Sequence, residues 1–142
     1  MNTSETTSLP GIKNIYIVPV RLLQPAMEYK AIVGIPIGIF TTKKKVSFLG
    51  SPSCEVVSTP QNNGSYEKAT LTFSTPVPLE LSDPHAFIVE DVNGRTWCIG
   101  AKEPPYSLIA FRRYTGSPTS EASVLKYTIT RTSVRAMMSC HI

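Results

Sequence analysis

Cysteine, histidine and tryptophan are scarce in this chain of 142 residues, at three, two and one. Cys54, Cys98 and Cys140 lie far apart, are odd in number and lack C-x-x-C spacing. That pattern favours buried or unpaired thiols in a reducing compartment over a disulfide or metal role. Nucleophilic catalysis requires an activated Ser or Cys with a base in hydrogen-bond reach. His85 follows Ser82-Asp83-Pro84 in a turn pattern, and His141 is the penultimate residue, where fraying is expected. Neither a triad nor a Cys140-His141 zinc site is read from them. No catalytic residue, no metal and no cofactor is expected, and the chain is read as non-enzymatic.

Charge is also thin. Charged side chains make up 17%, against about 25% in typical soluble domains, which argues against a helical bundle, a coiled coil or a charged tail. The most apolar run, Ala31 to Phe40, is interrupted by Pro36 and falls short of the roughly 20 residues of a membrane-spanning helix. No membrane partner follows. The N-terminus, MNTSETTSLPG, has neither a basic region nor an apolar one, so it is not read as a secretory signal and the chain is expected to stay inside the cell that makes it. Gly34, Gly38 and Gly50 lack the Lys-Ser/Thr ending of a phosphate-cradling loop.

What is present is β-strand patterning. Residues 1–11 are polar and close on Leu9-Pro10-Gly11, as in a flexible arm that orders, if at all, against a neighbouring subunit. Residues 12–142 read as a single β domain. Asn14 to Val20 is a strand whose Pro19 places it at an edge or an end. Arg21 to Tyr29 is a short helical turn limited by Pro25, Ala31 to Phe40 an irregular or bulged strand, and Thr41 to Lys45 a solvated turn. Val46 to Leu49 and Cys54 to Ser58 are short strands, followed by a loop from Thr59 to Gly64. Tyr66 to Thr75 alternates, with Ala69, Leu71 and Phe73 facing inward.

The strongest local signal is Ala86 to Gly100. Asn93-Gly94 suits a two-residue type I′ turn, which sets Val92 against Arg95, Glu90 against Trp97 and Ile88 against Ile99, with Val89 against Cys98 on the other face. Both faces are apolar. A core or interface hairpin results, carried by Ile88, Val89, Trp97 and Ile99 and covered from two sides by another sheet or another subunit. Ser107 to Phe111 is a further strand and Thr115 to Ser120 a loop. In the last strand, Ser123 to Ser133, Leu125, Tyr127 and Ile129 share a face, and Arg131 on that side caps a barrel end or emerges at an interface. Seven or eight short strands without a long amphipathic helix give an all-β, single-domain β-sandwich or small β-barrel.

Adjacent on a strand, Glu90 and Asp91 point to opposite faces and do not act as a pair. Lys43, Lys44, Lys45, Arg112 and Arg113 are candidates for subunit or DNA contact in a chain of net charge +4 and pI near 9.1. Aromatic residues amount to 8%, with Trp97, Tyr106 and Tyr114 the candidates for a binding platform.

Asn63-Gly64-Ser65-Tyr66 leads into Ala69, Leu71 and Phe73. Asp91-Val92-Asn93-Gly94 then follows with Trp97-Cys98-Ile99-Gly100, Pro104-Pro105, Gly116 and the closing Leu125 to Ile129. Over Ser53 to Val134, this succession resembles small all-β virion proteins of tailed bacteriophages and prophages, the class that builds head-tail connector rings, tail terminators and tail tubes. The resemblance implies a structural, homo-oligomeric ring subunit located in the virion and made in the bacterial host cytoplasm. Its implied partners are other phage head or tail proteins, with non-specific DNA contact at the basic segments. The alternative is a monomeric β-sandwich binding module for a carbohydrate or protein ligand.

Overall fold

The structure, a computed structural model, describes residues 5–61, 64–114 and 124–142. In chain order these residues form β1 (Glu5–Ser8), β2 (Ile12–Pro19), a 3-10 turn (Val20–Leu22), α1 (Met27–Val33), β3 (Lys44–Lys45) and β4 (Leu49–Gln61). There follow β5 (Gly64–Thr75), β6 (His85–Asp91), β7 (Thr96–Ile99), β8 (Leu108–Tyr114), β9 (Val124–Ser133) and β10 (Met137–Cys140). Among the described residues the strands make two antiparallel sheets of five, ordered β1-β4-β5-β9-β8 and β10-β7-β6-β2-β3. They do not close into a barrel. Of the two architectures expected, the sandwich is the one found.

Alternation explains the first core. Ala69, Leu71 and Phe73 on β5 and Leu125, Tyr127 and Ile129 on β9 turn inward and meet Ile15, Ile17, Phe87, Val89 and Ile99 of the second sheet. The opposite faces of β5 and β9 carry Thr70, Thr72, Lys126 and Thr128 toward water. The second sheet has no wet central face. Val18, Ala86, Ile88, Cys98 and Met138 pack on its far side under Val20, Leu23, Met27, Ile37 and Ile39. Each such buried aliphatic or aromatic side chain contributes about 1.5–3 kcal/mol, so the 20–39 segment is held by its apolar contacts although little of it is regular.

The hairpin forms, but in a different register from the one expected. Phe87 faces Ile99, Ile88 faces Cys98, Val89 faces Trp97 and Glu90 faces Thr96. Ile99 therefore shares a face with Phe87, and Trp97 with Val89, because a one-residue slip exchanges the faces. The cause is Asp91. Its carboxylate accepts the Asn93 and Arg95 amides at 2.9 and 3.0 Å, and Gly94 donates to the Asp91 carbonyl at 3.1 Å with φ near 83°. A three-residue connection with glycine in the left-handed position replaces the two-residue turn.

The cover over this hairpin is internal. Ile88, Val89 and Ile99 are fully buried in the single chain, so of the two covers expected, another sheet or another subunit, these residues need no subunit: the opposite sheet covers one side and the 20–39 segment the other.

Other segments depart from expectation for local reasons. Within the expected flexible arm, residues 5–8 form edge strand β1 against β4, and residues 1–4 lie outside the described residues. β2 lies one strand in from the edge, because Lys44 and Lys45, expected in a turn, pair with Ile17 and Tyr16; Pro19 does sit at its end. Helix α1 begins after Pro25 and stops at Gly34, whose φ of 82° ends it. The rest of the 31–40 run is irregular, and Gly38 bridges His141.

His141 is tied rather than frayed. Its amide donates to the Ile37 carbonyl and its carbonyl accepts the Ile39 amide, both at 2.8 Å. β4 and β5 extend through most of the expected Thr59 to Gly64 loop, of which residues 62–63 lie outside the described residues, as do residues 115–123 with the second expected loop. Arg131 neither caps a barrel nor reaches an interface. It is buried, with Nε donating to the Pro105 carbonyl at 3.1 Å, Nη1 to the Arg135 carbonyl at 2.7 Å, and Glu28 at 3.8 Å.

Candidate functional site

β8 is an apolar strand at the end of its sheet. Leu108 to Tyr114 pairs with β9 on one side, and among the described residues no strand pairs with the other. A free edge presents a row of backbone donors and acceptors, and natural edges are commonly blunted by proline, bulges or brevity. β8 has seven residues, no proline and a regular register with β9. Its side chains are unusually exposed for their chemistry, with Leu108 at 72% and Phe111 at 62%.

The two faces of this edge differ. On the inner face Ile109 packs against the sandwich core, while Phe111 and Arg113, further along the strand, are exposed. Phe73, Tyr127 and Phe111 form a row of rings, stacked at centroid distances of 5.4 and 5.7 Å, that runs from the core to the surface. The Tyr127 hydroxyl accepts the Leu79 amide at 2.9 Å and holds the chain after β5 over the row. Between them lies a groove of about 330 Å³ lined by Leu79, Leu81, Ile109, Phe111, Arg113 and Tyr127 among others.

On the outer face Arg112 stands directly opposite Lys126. Like charges placed opposite each other across strands destabilise the pair. Together with Ala110, Phe111 and Thr128 they line a second hollow of about 360 Å³. Among the described residues the edge therefore combines a backbone side with no strand partner, an apolar groove on one face and opposed positive charges on the other.

The residues singled out in the sequence scatter over the molecule. Arg112 and Arg113 are adjacent on β8 and point to opposite faces. Lys43, Lys44 and Lys45 lie at or beside β3, an edge of the other sheet. Lys43 is spent internally, donating to the carbonyls of Ile39 and Thr41 at 2.9 and 3.1 Å, while Lys44 and Lys45 are exposed. Trp97 is half-buried with Nε1 enclosed and unpartnered, so its ring offers no open platform. Tyr106 is 38% exposed, and the Tyr114 side chain lies outside the described residues. Glu90 accepts from Asn14 Nδ2 at 2.6 Å and faces Thr96 rather than Trp97.

The His85 ring nitrogen sits 2.7 Å from the Asp83 carbonyl in the turn before β6. Cys54, Cys98 and Cys140 are free and buried, and burial pushes the Cys54 thiol up to about 12 and the Cys140 thiol up to about 11. Among the described residues no three His, Cys, Asp or Glu side chains gather as a metal site, and no helix is long and apolar enough to cross a membrane.

Phe111 and Lys126 were legible as strand residues but not as parts of one site. Alternation sets Phe111 on the face of Ile109, opposite to Leu108, and nothing local shows that Phe111 is left 62% exposed on that face. The chain finds no match among protein-family models, curated proteins or solved structures.

Proposed function

We propose that this protein is a non-enzymatic structural subunit of a tailed-bacteriophage or prophage head-tail connector or tail assembly, and that it acts by joining copies of itself in a ring. The observation that carries the reading is the β8 edge, a seven-residue strand paired on one side only among the described residues, which exposes Leu108 and Phe111 beside the opposed Arg112 and Lys126. Such an edge is a template for another chain. The sequence resemblance to small all-β phage virion proteins supplies the class of assembly, with the virion as its location and other head or tail proteins as further partners. Lys44 and Lys45 are exposed and suit phosphate backbones, a contact that carries no base preference and weakens with salt.

A monomeric binding module is the second reading, favoured by the groove beside Phe111. Size-exclusion chromatography with light scattering over a wide concentration range separates the two. A mass that rises with concentration to a multiple of 15.6 kDa is expected. A monomer at every concentration, with a small glycan or peptide shifting the Phe111 signals in NMR, would establish the module instead.

A further inference from the structure

Charge is not evenly spread across the first sheet. At one edge, β1 and β4 carry Glu5 and Glu55, both exposed, and no basic residue. At the other, β8 and β9 carry exposed Arg112, Arg113 and Lys126 and buried Arg131, and no acidic residue. β5 between them balances Glu67 with Lys68. In its described strands the sheet is acidic at one edge and basic at the other.

This polarity selects among the ways in which copies can meet. An isologous contact pairs a patch with itself, and here it would bring Arg112, Arg113 and Lys126 against the same three residues. A head-to-tail contact brings the basic edge of one copy to the acidic edge of the next. Four antiparallel pairings separate β1 from β8, so the two edge strands run in the same direction and all copies joined in this way point alike. Heterologous contacts of this kind close into rings or continue as helical tubes.

The registers add a geometric condition. Traced across the sheet, Glu5 is level with Ser133 and Ser8 with Thr130, whereas Leu108 is level with Thr130 and Tyr114 with Val124. β1 and β8 therefore sit near opposite ends, and successive copies must step along the strands by about four residues, or roughly 13 Å. Over a five-strand width of about 24 Å this is a slope of roughly 30°, near the strand tilt of closed barrels, about 35–45°.

Resting on the assembly reading above, we infer that the partner of the β8 edge is the β1 edge of a second copy of this chain, in parallel, with Arg112 and Arg113 facing the Glu5 and Glu55 side of the neighbour. Two charge reversals test it. R112E/R113E makes both edges acidic, and E5K/E55K makes both basic. In light scattering at concentrations where the wild type assembles, each variant alone is expected at the single-chain mass, and an equimolar mixture is expected to regain the wild-type mass.

Circular dichroism checks that each variant is folded; should either lose its sheet signal, R112Q/R113Q carries the test, with weaker assembly expected. Variants that assemble like the wild type would overturn this inference while leaving self-assembly intact. R112E/R113E that assembles more strongly than the wild type would establish a β8-to-β8 contact instead. A wild type that stays monomeric throughout would overturn the assembly reading itself.

Discussion

The β6–β7 hairpin and the β8 edge are both apolar on more than one face, yet the chain treats them differently. Around the hairpin, Phe87 and Ile99 are covered by the opposite sheet, and Ile88 and Cys98 by the 20–39 segment. At β8 Phe111 stacks on Tyr127 yet stays 62% exposed. An apolar alternation reports that a strand is to be covered, not by what. In the hairpin the cover is the rest of this polypeptide; at β8 the proposed cover is another copy.

Substitutions that separate the two regions should have graded effects. The largest is expected for Phe87→Ala, which opens a cavity at a fully buried site and should lower unfolding free energy by about 3–5 kcal/mol in urea titration. Phe111→Ala should leave that titration nearly unchanged and weaken assembly in light scattering. Equal losses of stability in the two variants would erase the distinction between them.

Next is Arg131→Ala, which strips the Pro105 and Arg135 carbonyls and the Glu28 carboxylate of a shared donor and should destabilise by roughly 3 kcal/mol. Thermal unfolding reads this loss, and a shift within error would show that the buried guanidinium is dispensable. Asp91→Ala removes the acceptor of two turn amides and is expected to lower stability by about 1–2 kcal/mol. In NMR its cross-strand contacts should lose the Val89–Trp97 register, while the β8–β9 contacts persist. Unchanged hairpin contacts would show that Gly94 alone holds the three-residue turn.

The buried thiols predict a pH effect. For Cys54 and Cys140 the folded state holds the neutral form above its ordinary value of 9.0, to about 12 and about 11, through burial. The unfolded chain loses those protons first, so stability is complete below pH ~9 and falls as pH rises toward 11–12. Denaturant midpoints should drop across that window and drop less in Cys54→Ala than in the wild type, and thiol reagents at neutral pH should modify the folded protein slowly. Rapid labelling of all three cysteines would mean that the core opens readily. The smallest effect is expected for Lys126→Glu, which relieves the repulsion with Arg112 and should raise the melting temperature of the monomer slightly.

Much of the fold was legible because alternation is local. The inward row of β5, the strand at β9 and the two-faced burial of Ile88 and Val89 follow from residue type at period two. The hairpin register was not, because Asn93-Gly94 is the stronger turn signal and only the bonds to Asp91 show that the turn begins there. Helix α1 was shortened in the reading by Pro25, although a proline just before a helix is compatible with it. β3 was hidden because Lys44 and Lys45 have little β-propensity of their own and pair only where β2 provides a template. The candidate site was visible in fragments, Ser107 to Phe111 as a strand and Arg112-Arg113 as a basic pair. Its unity depends on Phe111 being left exposed on the inner face and on Lys126 arriving opposite Arg112, which are facts of tertiary arrangement.

Amide hydrogen exchange, compared between dilute and concentrated protein, tests most directly whether the fold is complete in one chain but open at one edge. The β6 amides should be protected to the same degree at both concentrations, while the β8 amides that point away from β9 exchange quickly in dilute solution and become protected as copies associate. β8 amides that remain fast in assembled protein, or β6 amides that gain protection only on assembly, would contradict that division.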